Sequence, residues 1–170
     1  RRRSCRVPHD HLATYLHDHL AGAVAAIEML EHLAQQYAGT PVERFAVGLR
    51  VDVQADQKEL EALARRLGVG ESGARKATAW LAERVARLKL RVDDPRGGAL
   101  RLLESVEVVA LGIDGKRALW ASLAAAAESV PELKSLDYAR LAERAEEQRR
   151  RAETVRLEAA RAALGGSRGG

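Results

Sequence analysis

PVERFAVGLRVDVQADQKELEALARRLG, residues 41–68, decides the fold. Steps of four and three from Val42 land on Ala46, Leu49, Val53, Asp56, Leu60, Leu63 and Leu67, and the run stops at Gly68. An average step of 3.5 residues holds every member on one stripe of an α-helix, the pattern of a rod packed along a near-parallel neighbour. All members but one are apolar. The exception, Asp56, sits mid-stripe, where a charge must be paired, so its partners belong on the helices that face it.

Three further segments carry related stripes. Before residue 41, a row through Ala13, Leu16, Leu20, Ala23, Ile27, Leu30, Ala34 and Tyr37 predicts a first helix, with Asp10 as N-cap and Gly39-Thr40-Pro41 as the turn out of it. Near the C-terminus the row is Tyr138, Leu141, Ala145, Gln148, Ala152, Val155, Ala159 and Ala162, started by Ser135 or Asp137 and stopped by Gly165-Gly166. Here the lone polar member is an amide, Gln148. A less regular segment over residues 99–126 turns Leu103, Val106, Ala110, Ile113 and Trp120 inward, and its Gly112 and Gly115 would permit a close approach by a neighbour.

Each segment is about twice the mean globular helix length. The short links near residue 39 and over residues 130–135 make two antiparallel hairpins. Between them, residues 69–98 are long enough to run the length of the bundle. Ser72 can cap a crossover helix with the stripe Ala74, Ala77, Leu81, Val85, Leu88 and Val92, which Asp93-Asp94-Pro95-Arg96-Gly97-Gly98 ends. One bundle domain is therefore expected over residues 9–164, flanked by a basic tail at 1–8 and a flexible glycine-rich tail at 165–170.

Composition agrees with an all-α chain: hydrophobic residues make up 46% of it but aromatics only 4%, with Ala and Leu interleaved among Glu and Arg. The net charge of +4 lies entirely in Arg1, Arg2, Arg3 and Arg6, which leaves the body neutral. With so few aromatics and no basic stripe in the body, nucleic acid is not an expected partner. A lone Cys5, no apolar signal segment and no run of about 20 apolar residues lead to the expectation of a cytoplasmic protein. The 73–92 helix carries Arg75, Lys76, Arg84, Arg87, Lys89 and Arg91 beside Trp80, a basic amphipathic face that suits an anionic membrane or an acidic partner; the simpler expectation is that its stripe docks on the bundle. The run EEQRRR at 146–151 is read as a solvated face with Glu146–Arg150 and Glu147–Arg151 pairs.

Two hairpins joined by one long crossover, with LEALARRLG at 60–68 and LGIDGKRALW at 111–120, resemble the ferritin-like superfamily over most of the chain. The resemblance implies an up-down-down-up four-helix bundle with the extra amphipathic helix in the crossover between helices 2 and 3. It also implies a site for iron or manganese, built from a Glu on each of two helices and a Glu-x-x-His on each of the others. In this chain the corresponding inward pairs read Val53-x-x-Asp56 and Ala145-x-x-Gln148, so no bound cofactor is expected at the family's positions. A variant metal set of His19, Asp56, Glu59 and Glu107, with Asp114 in place of Glu107 and Gln148 or Glu146 added from the last helix, is the alternative.

His9-Asp10-His11 and His17-Asp18-His19 are not spaced for chelation. Residues 17 and 19 point about 200° apart on a helix, and His11 lies about 12 Å along the axis from His19. Only His19, beside the inward row, remains a ligand candidate. The reading that needs fewest assumptions is a buried polar network of Asp56, Gln148, His19, Arg144 and Arg151 that fixes the register of the bundle. Two functions follow: a non-catalytic interaction or assembly module, homodimeric through an alanine-rich helix face, or a variant metal-binding bundle with redox or storage chemistry.

Overall fold

The computed structural model describes residues 7–69 and 98–165. They form four long α-helices, α1 (Val7–Gln36), α2 (Pro41–Arg66), α3 (Gly98–Ala126) and α4 (Tyr138–Leu164), with a 3-10 turn at Pro131–Ser135 before the last. There is no strand among the described residues, so the architecture is the all-α, four-helix one expected from the stripes. Helices of 26 to 30 residues are rods of about 40–45 Å. The expected 73–92 helix of the crossover and residues 1–6 and 166–170 of the expected tails lie outside the described residues, whereas Val7 and Pro8, expected in the basic tail, belong to α1. No described helix is long and apolar enough to cross a membrane.

Local chemistry explains the boundaries. Gly39 adopts φ +79°, a left-handed conformation that only glycine takes cheaply, and turns the chain out of α1. Its N–H donates to Glu43 Oε2 at 2.6 Å, so the first turn of α2 holds the preceding loop, while Pro41 takes an early position where a missing N–H costs nothing. Of the two candidate caps for α4, Asp137 is the one used: its carboxylate accepts from the Arg140 N–H at 3.0 Å. Ser135 instead donates to the Glu132 carbonyl within the 3-10 turn.

Two boundaries need correcting. Asp10 is not an N-cap, because α1 is already helical at Val7; Pro8 is the start signal, tolerated in a first turn and nowhere later. The inward row of α1 is also only partly buried. Leu16 and Leu30 are fully buried, but Leu20, Ala23, Ile27, Ala34 and Tyr37 are half-buried, and His17, Ala21, Met29 and Leu33 go inside beside them. A straight helix drifts about 20° per heptad from a strict 3.5 repeat, so the row and the buried face part company along 30 residues.

Cross-helix pairs fix the directions. Arg50 on α2 reaches Glu31 on α1 across the short turn. From α2 to α4 the pairs run Asp52–Arg151, Asp56–Gln148 and Glu59–Arg140, one number rising as the other falls. Between α3 and α4, Glu107–Arg156 and Asp114–Arg149 do the same. Thus α1 and α4 run one way, α2 and α3 the other, and α2 ends at the opposite end of the bundle from the start of α3. The α1–α2 and α3–α4 hairpins are each closely packed; contact between hairpins is sparser.

The core divides into two apolar clusters. One gathers Leu16, Leu60, Leu63, Leu119, Trp120, Leu123, Leu133 and Leu141 at one end, and the other Met29, Leu30, Leu33, Leu49, Val53, Val109, Ile113 and Ala152 toward the opposite end. Along α2 the boundary falls between Val53 and Leu60, along α3 between Ile113 and Leu119, and along α4 between Ala145 and Ala152. Each of those gaps holds one polar residue that turns inward.

Candidate functional site

The three residues in the gaps are Asp56, Lys116 and Gln148, and they meet. Lys116 Nζ lies 2.5 Å from Asp56 Oδ2 and also donates to Gln148 Oε1. Gln148 Nε2 donates to the same Asp56 Oδ2 at 3.0 Å. Arg144, one turn before Gln148 on α4, forms an ion pair with Asp56 Oδ1. Asp56 is 3% exposed and Gln148 fully buried. Asp56 Oδ2 therefore accepts two hydrogen bonds and the amide is used at both ends, whereas Oδ1 meets Arg144 as an ion pair without a hydrogen bond.

One anion faces two cations in this layer. Burial pushes the Lys116 ammonium below its ordinary value, because an interior of low polarity disfavours charge; Asp56 opposes that shift and Arg144 adds to it. A second pair, Arg151 with Asp52, closes the α2–α4 seam one turn away. Gly48 leaves room there: a Cβ on it would lie 3.9 Å from Arg151 Nη1.

The remaining helix, α1, contributes no polar group to the layer. Where α1 passes it, the residues are Gly22, Ala23 and Ala26, and across from them α3 has Gly112 and Gly115. The result is a cleft of about 220 Å³ between α1, α2 and α3. Its walls are mainly apolar, with Trp120 at one side; Asp56 and Lys116 form its polar floor, and Asp18 and His19 stand at its edge. Among the described residues, no neighbour makes a close approach at Gly112 or Gly115. A Cβ added at either, or at Gly22, would meet nothing within 4 Å among the described residues.

The sequence-derived candidates scatter around this layer. Asp56, Gln148 and Arg144 come together in it, whereas Arg151 is drawn to Asp52. His19 is half-buried at the cleft, its ring 4.7 Å from that of Tyr15 in an edge-on contact. Burial lowers its pKa below the ordinary 6.5, with Asp18 pulling the other way. His17, not His19, is the more buried of the two, at 7% exposure. Glu59 faces α4 and pairs with Arg140 at 2.7 Å on the surface. Glu107 pairs with Arg156 and lies about 13 Å along α3 from Lys116. Asp114 is held by Arg117 and Arg149, and Glu146 by Arg117.

His19, Asp56, Glu59 and Glu107 are thus not brought to one point, and no group of three or more His, Cys, Asp or Glu side chains among the described residues is placed to hold a metal ion. The charge run 146–151 is corrected as well. Only Arg150 finds a partner within it, Glu147 at i−3, because Gln148 and Arg151 turn toward α2 and Glu146 toward α3.

Lys116 is the participant that sequence reasoning missed. The inward residues Ile113 and Trp120 are seven apart, and the step between them falls on Lys116, so the stripe itself marked the position. Its charge made it read as surface. Comparison of the chain with protein-family models, with curated proteins and with solved structures gave no match in any of the three.

Proposed function

We propose that this chain is a ferritin-like bundle, up-down-down-up with a helical crossover, that works by binding and assembly rather than by metal chemistry. The observation that carries the proposal is the closed layer at Asp56. A metal ion there would need carboxylates free to donate, and the one buried carboxylate is already shared by an ammonium, a guanidinium and an amide N–H. The chain's own Lys116 and Arg144 supply the positive charge that a metal would bring. A layer satisfied in one arrangement only specifies which helices meet and in what register.

The partner proposed is a second copy of the chain. Leu100 and Leu111, 49% and 71% exposed, are three turns apart on the outer face of α3, and Ala118, Ser122 and Ala125 continue the exposed side of that helix. Small side chains of this kind let a second helix approach closely.

Metal analysis of protein purified without chelator is the test of the first part. Substoichiometric iron and manganese are expected, with an unfolding midpoint indifferent to EDTA; near-stoichiometric metal, or destabilisation by EDTA, contradicts it. Sedimentation equilibrium tests the second part, with a dimer expected for the native chain and a monomer for Leu111→Lys. A native monomer contradicts it.

A further inference from the structure

Helical glycine is costly. It gives up about 0.8–1 kcal/mol relative to alanine unless a neighbour or a positive φ requires it. Gly22, Gly112 and Gly115 lie inside α1 and α3, need no positive φ, and would each accept a Cβ without meeting another described residue. All three line the same cleft. Packing among the described residues therefore gives no reason for them, yet filling any of them would reduce one cavity.

That cavity has a built polar end. Lys116 carries three N–H donors, of which Asp56 and Gln148 take two, and its side chain lines the cleft floor. Trp120, 1% exposed, forms a wall through its ring, with its indole N–H buried away from the open space. The third Lys116 donor, left unpaired at the cleft floor, costs free energy that an incoming acceptor would recover. The remaining walls include Leu30, Val53, Ile113 and Leu119.

We infer that the cleft is a binding site for a small, uncharged, mainly apolar molecule bearing one hydrogen-bond acceptor, an aryl or cyclic ketone in chemical class. The size follows from the volume. A cavity of about 150 Å³ lined by aliphatic side chains takes up benzene, so about 220 Å³ accommodates a single ring with a short polar substituent. Neutrality follows from the charges. Among the lining residues Lys116 is paired with Asp56, whose other oxygen takes Arg144 from outside the cleft, while Asp18 at the edge repels an anion. The acceptor is required by the third donor of Lys116. This inference rests on the proposal that the Asp56 layer is closed without a metal.

The experiment uses the full chain in a Trp80→Phe background, so that Trp120 is the only indole, with acetophenone, toluene and benzoate as probes. Saturable quenching of Trp120 and a raised unfolding midpoint are expected with acetophenone, with affinity about tenfold above that for toluene, the worth of one hydrogen bond of about 1.4 kcal/mol. Benzoate should bind more weakly than acetophenone. Gly22→Leu and Gly115→Leu should abolish binding while raising the midpoint of the unliganded protein, since each fills part of the cleft and improves a helix.

Absence of saturable binding overturns the inference. Tighter binding of benzoate overturns the neutral class, and a lowered midpoint in both leucine variants shows that another part of the chain fills the cleft. Metal content and EDTA response, read on the same preparation, report on the closed layer separately. A metal-free, EDTA-indifferent protein that ignores acetophenone refutes the ligand alone.

Discussion

At the level of Asp56 the two sides of the bundle are built differently. Between α2, α3 and α4 the space is filled by Asp56, Lys116, Gln148 and Arg144, with Asp56 Oδ2 hydrogen-bonded and Oδ1 ion-paired. Between α1, α2 and α3 the same level is open and is lined on α1 by Gly22, Ala23 and Ala26. The filled side specifies the fold, because charged groups buried together tolerate one arrangement; the open side costs stability and specifies nothing internal. A chain that keeps both has separated the layer's structural work from whatever its cavity does.

The largest effect is expected where the filled side is broken. Asp56→Ala leaves Lys116 and Arg144 facing each other without an anion, and equilibrium urea unfolding should show a loss of about 3–5 kcal/mol. A loss under about 1 kcal/mol would mean that water already screens the layer. On the open side the sign should reverse. Gly22→Ala and Gly115→Ala should each gain close to 0.8–1 kcal/mol in the same assay, or about 2–4 °C in midpoint. Opposite signs on the two sides would sharpen the contrast; destabilisation on both would erase it.

Smaller effects concern protons. The folded pKa of His19 is lowered by burial, so between 6.5 and that lowered value the unfolded chain binds the proton more readily. Stability should therefore fall as pH drops through this window and level off below it, and His19→Gln should flatten the slope. A slope unchanged by that substitution places the cost elsewhere. The same rule works at the alkaline end. Lys116 is lowered from 10.5, so stability should rise with pH from its lowered value up to 10.5, and Lys116→Met should remove the rise. Smallest of all is Glu153, whose carboxyl the Arg156 and Arg149 guanidiniums hold down to about 2; an NMR titration in low salt should find it still ionised at about pH 3.5.

How much of this was legible depends on where a side chain's neighbours come from. The α2 stripe was readable because it packs on α1 along one side and on α4 along the other. Its members Ala46 through Leu63 are buried as the 3.5 step requires, and Asp56 is one of them. The α4 stripe was readable for the same reason from Leu141 to Ala152. The α1 stripe misled because the buried face of a straight 30-residue helix drifts off a strict 3.5 row, so apolar residues on the row stay partly open while His17 and Ala21 turn inside.

Candidates for the polar layer were legible on α2 and α4, where a lone polar residue interrupts an apolar row. They were illegible on α3, because a lysine in LGIDGKRALW is indistinguishable by type from the exposed Arg117 beside it. Pair choices were not legible either. Arg151 could reach Gln148's neighbours or Asp52 with equal ease in sequence, and only the antiparallel register of α2 on α4 sends it to Asp52. The cleft left a trace in three helical glycines; spacing alone assigned Gly112 and Gly115 to close packing, and among the described residues they border the cleft instead.

A double-mutant cycle between Asp56 and Lys116, using Asp56→Asn, Lys116→Met and the pair together, puts the closed layer to the most direct trial. Urea unfolding should give a coupling energy of about 1.5–3 kcal/mol, with the double variant more stable than the sum of the single losses predicts. Additive losses, with coupling within about 0.5 kcal/mol of zero, would mean that the two charges do not hold each other and that the layer is not what registers the bundle.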